Sequence, residues 1–284
     1  MSGRPYMKDD CDPLHWLKTK YVLNNKEQQA FETSDSVSKV SFIIGGAQKG
    51  GTTALDTYLR KHPSVLMARK KEVHFFDNEA LFLKTKVDYG LYHAYFALNH
   101  SSSKILGEAT PIYMYWYAAP RRVWEYNPAM RWILMLRNPI DRAYSHWNME
   151  RSRGQEDLPF FEAIKNERGR CMDALPEQHR VYSYVDRGFY TEQIRRIWHY
   201  FPVEQTLILK SEDLQDSPEP TLNKVCSFLG VEDMPKVSYE MTHVGEYVTA
   251  MSDGERAYLK NIFEAEVRTI EKLLDWDCTS WIAL

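Results

Sequence analysis

Short apolar runs alternate with amphipathic stretches along most of the chain. The apolar runs have the length of buried strands and lie near 42–45, 65–67, 105–107, 132–136 and 206–210. Apolar positions with helical spacing fall between and after them, at 52–61, 118–126, 140–151, 159–167, 189–200 and 221–229. This alternation predicts an α/β fold in which a P-loop-like parallel sheet carries helices on both faces.

The two ends of the chain depart from this pattern. Residues 1–38 are mixed and become polar toward their end, which predicts an N-terminal extension followed by a single domain at 39–284. Near the other end, Ser252 and Glu255 have the spacing of a capping box, and apolar residues at helical spacing predict a long helix up to Leu274. The stretch at 231–251 has few signals and is expected to form a loop over the site.

The first predicted strand runs into the glycine-rich turn Gly-Gly-Ala-Gln-Lys-Gly-Gly-Thr-Thr. Gly50 and Gly51 let the backbone pass close to a ligand, and Thr52 and Thr53 are expected to cap the helix that follows. Free N–H groups and the positive end of a helix dipole then point at one place, where Lys49 adds a full charge. The turn is therefore expected to bind a phosphate-like group.

The position of the lysine separates this turn from a Walker A loop. That pattern places a lysine directly before the hydroxyl residue, whereas Gly51 holds that position here and Lys49 lies two residues earlier. The strand at 132–136 ends in Arg137 and not in an acidic residue that would hold magnesium. A phosphate site without a metal is the favoured interpretation, and a P-loop nucleotide kinase is the alternative.

A carboxylate and an imidazole lie two residues apart at Glu72 and His74. In an extended segment both side chains face the same way, and a carboxylate beside lysines and a histidine is a candidate general base. The alternative is a solvated charge run ahead of two core phenylalanines.

Arg137 is expected at the carboxyl edge of the sheet, where parallel sheets bind their ligands. Ser145 lies about two helical turns further along and could face the same anion. The alternative is an ion pair between Arg137 and Asp141 at the start of the helix.

Acidic and aromatic residues follow the strand at 105–107. The carboxyl edge of the sheet is therefore expected to carry four further residues, which could line an acceptor pocket or belong to the core. They are Glu108, Tyr113, Tyr115 and Trp116.

The composition limits the classes of molecule that the protein is expected to bind. The 284 residues carry a net charge of −3, which disfavours nucleic acid and sulfated glycans, although a local basic cleft is compatible with it. The four cysteines form no C-x-x-C pair, so reduced thiols are expected and a zinc site is not. The chain shows neither a secretory signal nor an apolar run of membrane-spanning length, which predicts a cytoplasmic protein without a membrane partner.

Together these motifs resemble the sulfotransferases that use 3′-phosphoadenosine-5′-phosphosulfate, above all the branch with the heparan sulfate N- and 3-O-sulfotransferases and their bacterial relatives. The resemblance runs from about residue 40 to the C-terminus. The matching segments are Gln48 through Leu55, Arg137 through Ser145, Arg187-Gly188-Phe189-Tyr190, Trp198, Tyr200-Phe201-Pro202, Gln205 and Glu212-Asp213-Leu214. The resemblance implies metal-free sulfuryl transfer to a hydroxyl or amine, with adenosine 3′,5′-bisphosphate as the second product.

The same resemblance implies roles for individual residues. Lys49 contacts the phosphosulfate and stabilises the leaving phosphate, and Glu72 is the base, accompanied by His74. Arg137 and Ser145 hold the 3′-phosphate of the donor. The cradle for the 5′-phosphosulfate is formed by Gln48, Lys49, Gly50, Gly51, Thr52 and Thr53.

Two positions differ from the heparan-type pattern. Ala109 stands where that branch usually carries a lysine, and the segment Thr242–Tyr247 stands where it carries a basic loop over the donor. With the net charge, these differences favour a small acceptor, such as a cationic natural product bearing a guanidinium group, which Glu108 and the aromatic residues would bind. A glycan acceptor and a non-catalytic nucleotide-binding module are the alternatives.

Overall fold

Five parallel strands form one sheet at the centre of the protein. The computed structural model describes residues 39–83, 86–96, 104–235 and 249–283. The strands follow the order β2-β3-β1-β4-β5, so β1 lies in the middle, between β3 and β4. They are β1 (Phe42–Gly46), β2 (Val65–Met67), β3 (Ile105–Ala109), β4 (Arg131–Leu136) and β5 (Thr206–Lys210). Each lies where an apolar run predicts a strand, and the predicted parallel sheet is confirmed.

Helices connect the strands and cover the sheet. The longer ones match the stretches of helical spacing, whereas the sequence pattern did not predict the short α2, α3 and α8. In chain order they are α1 (Thr52–Leu59), α2 (Glu79–Phe82), α3 (Gly90–His93), α4 (Ala119–Tyr126), α5 (Pro139–Ser152), α6 (Phe160–Met172), α7 (Tyr190–Tyr200), α8 (Ser211–Asp216), α9 (Pro218–Leu229) and α10 (Asp253–Leu274). Among the described helices, none is both long and apolar enough to span a membrane.

The central strands are buried on both faces, which explains their unbroken apolar sequence. Alternate residues of a strand point to opposite sides of a sheet. In β4, Trp132 and Leu134 pack into one hydrophobic cluster, and Ile133 and Met135 pack into another. Helices α4, α7 and α10 contribute to the first cluster and α1 and α9 to the second, so helices cover both faces as predicted.

The last helix begins with the predicted capping box. The backbone N–H of Glu255 donates to Ser252 Oγ at 3.3 Å, and the N–H of Ser252 donates to Glu255 Oε2 at 2.7 Å. The buried residues of α10 are Leu259, Phe263, Val267 and Ile270. The predicted N-terminal extension (1–38) and the donor-covering segment (242–247) lie outside the described residues, as does most of the predicted loop at 231–251.

Candidate active site

The glycine-rich turn leaves the start of α1 open. Gly51 is the N-cap of this helix, has a left-handed backbone (φ 92°), and no side chain caps the helix. The expectation that Thr52 and Thr53 cap the helix is therefore wrong, because the left-handed glycine ends the turn and makes them the first helical residues. The first backbone bond of the helix runs from the N–H of Ala54 to the carbonyl of Gly51 at 3.1 Å. The N–H groups of the two threonines are thus available to an anion.

Gly50 brings this turn against the central strand β4. A Cβ atom on Gly50 would lie 2.2 Å from the carbonyl oxygen of Met135 and 2.9 Å from that of Ala47. The N–H of Ala47 donates to the same Met135 oxygen at 2.9 Å. Close backbone contacts that only glycine permits therefore fix the turn on the sheet.

Lys49 is the cation of this turn, and it is only partly exposed. Burial lowers the pKa of its ammonium group, and the positive charges of Arg153 and Arg137 lower that pKa further, whereas Glu72 opposes the shift. Within the described residues Lys49 forms no ion pair. A cation held near other cations in this way is stabilised when an anion binds between them.

Glu72 and His74 come together as predicted, although not through an extended chain. Both have a left-handed backbone, with φ of 62° and 56°. The N–H of Glu72 donates to the carbonyl of Ala109 at the end of β3 (2.8 Å), and the N–H of Val73 donates to Thr110 Oγ1 (2.9 Å). These bonds fix the segment beside the sheet edge, with His74 Nε2 at 3.6 Å from Glu72 Oε2.

The environment of Glu72 keeps its side chain ionised. Burial raises its pKa, but the contact with His74 and the hydrogen bond from Lys71 Nζ to Glu72 Oε1 (2.7 Å) outweigh burial and lower the pKa to about 2. The carboxylate is therefore available to accept a proton at neutral pH.

Asp77 completes this group, and the sequence reasoning missed it. His74 Nδ1 lies 2.9 Å from Asp77 Oδ2, and Asp77 is fully buried. Burial lowers the pKa of His74, but the hydrogen bond with Asp77 and the contact with Glu72 outweigh burial and raise it to about 9. The imidazolium therefore bridges two carboxylates. The sequence did contain a signal for Asp77, because this residue lies three positions after the histidine. We call Glu72, His74 and Asp77 the triad.

The four residues predicted to line an acceptor pocket are buried, with at most 5% of their surface exposed. Glu108 accepts hydrogen bonds from Tyr92 (2.9 Å) and Thr110 (2.6 Å), and burial raises its pKa to about 7. The hydroxyl of Tyr113 accepts a bond from the N–H of Phe75 at 2.9 Å. Thr110 and Tyr113 thus bind backbone groups next to the catalytic candidates.

Tyr115 and Trp116, the other two aromatic residues of this group, also form hydrogen bonds inside the protein. The hydroxyl of Tyr115 donates to Asp186 at 2.7 Å, and Trp116 Nε1 donates to Glu79 Oε1 at 2.7 Å. These contacts agree with the core alternative and give no support to an acceptor pocket built from these side chains. They tie the segment after β3 to Asp186 and to Glu79 at the start of α2.

A cavity of about 610 Å³ lies at the carboxyl end of β4. Its lining comprises Arg137, Asp141, Tyr144, Thr249, Ala250, Met251 and Arg256. Asp141 pairs with Arg256 at 2.7 Å, so the alternative ion pair with Arg137 is not formed. Two guanidinium groups face one carboxylate, and the surplus positive charge suits a phosphate. Ser145 is buried on α5, the helix that also carries Asp141 and Tyr144, and it is not among the described residues that line the cavity.

Arg256 is a site residue that the sequence did not indicate. It lies in the first turn of α10, a helix predicted to be structural, and its charge reaches the cavity only because α10 packs against α5. No local pattern marks such a residue.

A segment between α6 and α7, residues 173–189, connects the two halves of the site, and we call it the bridging segment. Arg187 is nearly fully buried; it donates to Gln48 Oε1 in the glycine-rich turn and to Ser183 Oγ at 2.8 Å. Arg180 of the same segment donates to Asp77 of the triad. The turn and the triad are therefore held by one stretch of chain.

Together these groups can bind an anion and accept a proton at adjacent places. The turn offers N–H groups and Lys49, the triad offers an ionised carboxylate, and the cavity at Arg137 has room for a further phosphate. Within the described ranges, no three His, Cys, Asp or Glu side chains are grouped so that they could hold a metal ion.

Comparison with known proteins identifies the family. The sulfotransferase domain model matches residues 39–250. Heparan sulfate glucosamine 3-O-sulfotransferase 5 of Mus musculus is 28% identical over 236 residues, which cover 80% of this chain and 65% of the relative. Heparan sulfate glucosamine 3-O-sulfotransferase 6 of Mus musculus is 32% identical over 191 residues, or 67% of this chain and 52% of the relative. The chain thus spans between 52% and 65% of the length of these two curated relatives.

Solved structures agree with this result. A sulfotransferase from Alicyclobacillus acidocaldarius has a TM-score of 0.73 and 28% identity, covering 87% of this chain and 100% of its own. A mouse sulfotransferase complexed with PAP has a TM-score of 0.54 at 12% identity, covering 87% of this chain and 91% of its own, which shows a shared fold only. The family resemblance predicted from the motifs is confirmed: this chain belongs to the sulfotransferase domain family.

Proposed function

We propose that this protein transfers a sulfuryl group from 3′-phosphoadenosine-5′-phosphosulfate to a hydroxyl or amine of an acceptor. The observation that carries the proposal is the pairing of an open anion cradle at Lys49 with the ionised carboxylate of Glu72, whose charge acts on that lysine. Membership of the sulfotransferase domain family supports the choice of donor.

The donor would bind across the carboxyl edge of the sheet. The N–H groups at the start of α1 and the Lys49 ammonium suit the 5′-phosphosulfate, because both carry positive charge toward one point. Arg137, in the cavity of about 610 Å³, suits the 3′-phosphate. A contact of Ser145 with the 3′-phosphate stays a prediction. A contact of Gln48 with the 5′-phosphosulfate also stays a prediction, and Gln48 Oε1 accepts a hydrogen bond from Arg187.

The reaction follows from the charges in the site. The acceptor oxygen or nitrogen attacks sulfur, the bond from sulfur to the 5′-phosphate oxygen breaks, and its electron pair stays on that oxygen. Lys49 and the helix N–H groups stabilise the developing charge. The acceptor proton passes to Glu72, whose carboxylate His74 and Asp77 keep in place.

The low pKa of Glu72 is part of this proposal. A carboxylate with a pKa of about 2 is a weak base, and the hydrogen bond from Lys71 is one reason for the low value. A donor bound at Lys49 would add negative charge beside Glu72, which would raise the pKa of the carboxylate toward the range of an effective base.

For the acceptor we propose a small molecule, and a cationic, guanidinium-bearing compound stays the prediction. The sequence argument for a cationic acceptor relied mainly on Glu108 and the aromatic residues after it, and these side chains are buried. The net charge of −3 still favours a cationic acceptor over a sulfated glycan. A panel of guanidinium compounds, neutral phenols and oligosaccharides tests this choice. Faster turnover of neutral phenols or sugars than of every cation would contradict it. The cytoplasmic location likewise stays a prediction.

The test of the function is release of adenosine 3′,5′-bisphosphate from the phosphosulfate donor during incubation with this panel. We expect Glu72→Gln to lower kcat about a hundred- to ten-thousand-fold, since general-base help has that size, while adenosine 3′,5′-bisphosphate binds as before. Glu125→Gln is the matched control, because Glu125 forms an exposed ion pair with Arg121. Undiminished turnover of Glu72→Gln contradicts the base assignment. Magnesium-dependent ATP turnover supports the kinase alternative, and binding without transfer to any acceptor supports the binding module.

A further inference from the structure

The bridging segment reaches the triad through one side chain. The guanidinium of Arg180 donates from Nη1 to Asp77 Oδ2 and from Nη2 to the backbone carbonyl of Asp77. Its central carbon lies 4.2 Å from the centroid of the Trp116 ring, and Trp116 is itself anchored to Glu79 at 2.7 Å. Arg180 is therefore fixed on three sides, by a carboxylate, a carbonyl and an aromatic face.

We propose that Arg180 is a positioning residue for the catalytic base, which it orients through Asp77 and His74. The inference rests on the proposed function, because it concerns the proton transfer to Glu72. Arg180 does not reach Glu72; it acts on the residue that holds the imidazolium.

The geometry gives the reason for such an effect. Asp77 is fully buried, and its Oδ2 atom takes both the bond from His74 and the bond from Arg180. The planar fork of the guanidinium contacts the side chain and the backbone of Asp77 at once, so it fixes the direction of the carboxylate. The distance from His74 Nε2 to Glu72 Oε2 is 3.6 Å, longer than a hydrogen bond. Lys71 holds the other oxygen of this carboxylate, Oε1, at 2.7 Å, so a small rotation of His74 changes the direction in which Glu72 Oε2 points.

Two other roles for Arg180 predict different results. Its side chain is 45% exposed, so a direct contact with the acceptor would affect the acceptor KM and leave kcat unchanged. A purely structural role in the bridging segment would loosen Arg187 as well, and with it the contact to Gln48 in the donor cradle. Measuring kcat, acceptor KM and the Kd of adenosine 3′,5′-bisphosphate separates these cases.

Arg170 provides the matched control. It also pairs with a buried carboxylate, Glu156 at 2.9 Å, and also packs on an aromatic ring, that of Tyr182 in the bridging segment at 3.9 Å. It steadies the same segment without contact to Asp77. Replacement of Arg170 therefore reports what a loosened segment alone does to the enzyme.

The experiment uses the panel member with the highest turnover as the acceptor probe. We expect Arg180→Ala to lower kcat by about a hundredfold, the loss typical of a catalytic group misplaced by about 1 Å, with acceptor KM and the Kd of adenosine 3′,5′-bisphosphate unchanged. Arg180→Lys keeps the charge but loses the planar fork that contacts both the side chain and the backbone of Asp77, so it should restore only part of kcat. Arg170→Ala should leave kcat near that of the unmodified enzyme. In nuclear magnetic resonance spectra, the imidazole signals of His74 should shift in Arg180→Ala and stay in place in Arg170→Ala.

A second variant ties the effect to the base. In a Glu72→Gln background, Arg180→Ala should cause no further loss of kcat, since residues that act through one group are not additive. A full additional loss, an increase of KM alone, or an equal loss in Arg170→Ala would each overturn the inference. Failure of the proposed function is recognised separately, because no acceptor of the panel would then release adenosine 3′,5′-bisphosphate from the donor. Failure of the base assignment alone would leave Glu72→Gln with its turnover.

Discussion

Replacement of Gly50 by alanine tests how the glycine-rich turn is held on the sheet. The added Cβ would lie 2.2 Å from the carbonyl oxygen of Met135, and real Cβ atoms essentially never come closer than 3.0 Å, so the two atoms must move apart by about 0.8 Å. Gly50 does not have a left-handed backbone, so alanine brings no conformational penalty of that kind. The oxygen belongs to the backbone of β4 and cannot rotate away, so the turn itself has to move.

The expected effects follow from that displacement. Overpacking of this kind costs about 1–3 kcal/mol of unfolding free energy, and a shift approaching 1 Å in a catalytic site costs about a hundredfold in turnover. Steady-state kinetics measures the loss of turnover, and thermal unfolding measures the loss of stability. Isothermal titration with adenosine 3′,5′-bisphosphate measures how far the displaced turn still binds the nucleotide. We expect weaker binding and a lower Tm in Gly50→Ala.

Gly169→Ala is the matched control for this variant. Gly169 lies in α6, and a Cβ there would meet no atom within 4 Å. Alanine in a helix is about 1 kcal/mol more favourable than glycine, so the control should gain stability and bind the nucleotide as before. If Gly50→Ala kept both the original affinity and the original Tm, the turn would not be held against β4 in the way described.

Three further predictions concern separate parts of the protein. Arg137→Ala should weaken binding of adenosine 3′,5′-bisphosphate more than binding of adenosine 5′-phosphate in a competition assay, and an equal loss for both nucleotides would contradict the 3′-phosphate assignment. The pKa of His74 is raised from 6.5 to about 9 in the folded state, so its contribution to stability is complete below pH 6.5 and is lost as the pH rises through 9. Denaturant unfolding between pH 6 and 10 should show this loss, and His74→Gln should lack it. Ser252→Ala should lower the unfolding free energy by about 1 kcal/mol without changing nucleotide affinity, whereas Ser217→Ala, at an N-cap without a side-chain bond, should have a smaller effect.

The parts of the fold that the sequence predicted are those encoded by local pattern. Apolar runs located the five strands of the described sheet, and the runs of β1 and β4 are the clearest because these strands are buried on both faces. Arg137 was predicted at the sheet edge because it directly follows β4. The glycine-rich turn was recognisable because each of its glycines meets a local requirement of space or backbone angle.

The parts that escaped prediction depend on contacts between distant segments. Arg180 meets Asp77 across 103 residues, and Arg187 meets Gln48 across 139, and the bridging segment that carries both arginines has no periodic pattern. Glu108 shows a second limit. The sequence around a glutamate at the end of a strand does not tell whether the side chain lines a cleft or lies in the core. Only the hydrogen bonds of Glu108 with Tyr92 and Thr110 show that it is buried.

Lys49, with φ of 67°, shares the left-handed backbone of Glu72 and His74, and this conformation affects which substitutions the protein can accept. A non-glycine residue in that conformation costs about 1–2 kcal/mol, and a typical domain is stable by only about 5–15 kcal/mol. The backbone conformation of these three residues therefore costs a substantial fraction of that stability. Glycine or asparagine at any of them would relieve the conformation and remove a group of the site. At Glu72 and His74 the loss of the ion pairs with Lys71 and with the buried Asp77 opposes that gain. Burial and neighbouring arginines disfavour the charge of Lys49. Selection of this protein for heat resistance alone should accordingly recover substitutions of Lys49 first, and these variants should bind the phosphosulfate donor more weakly.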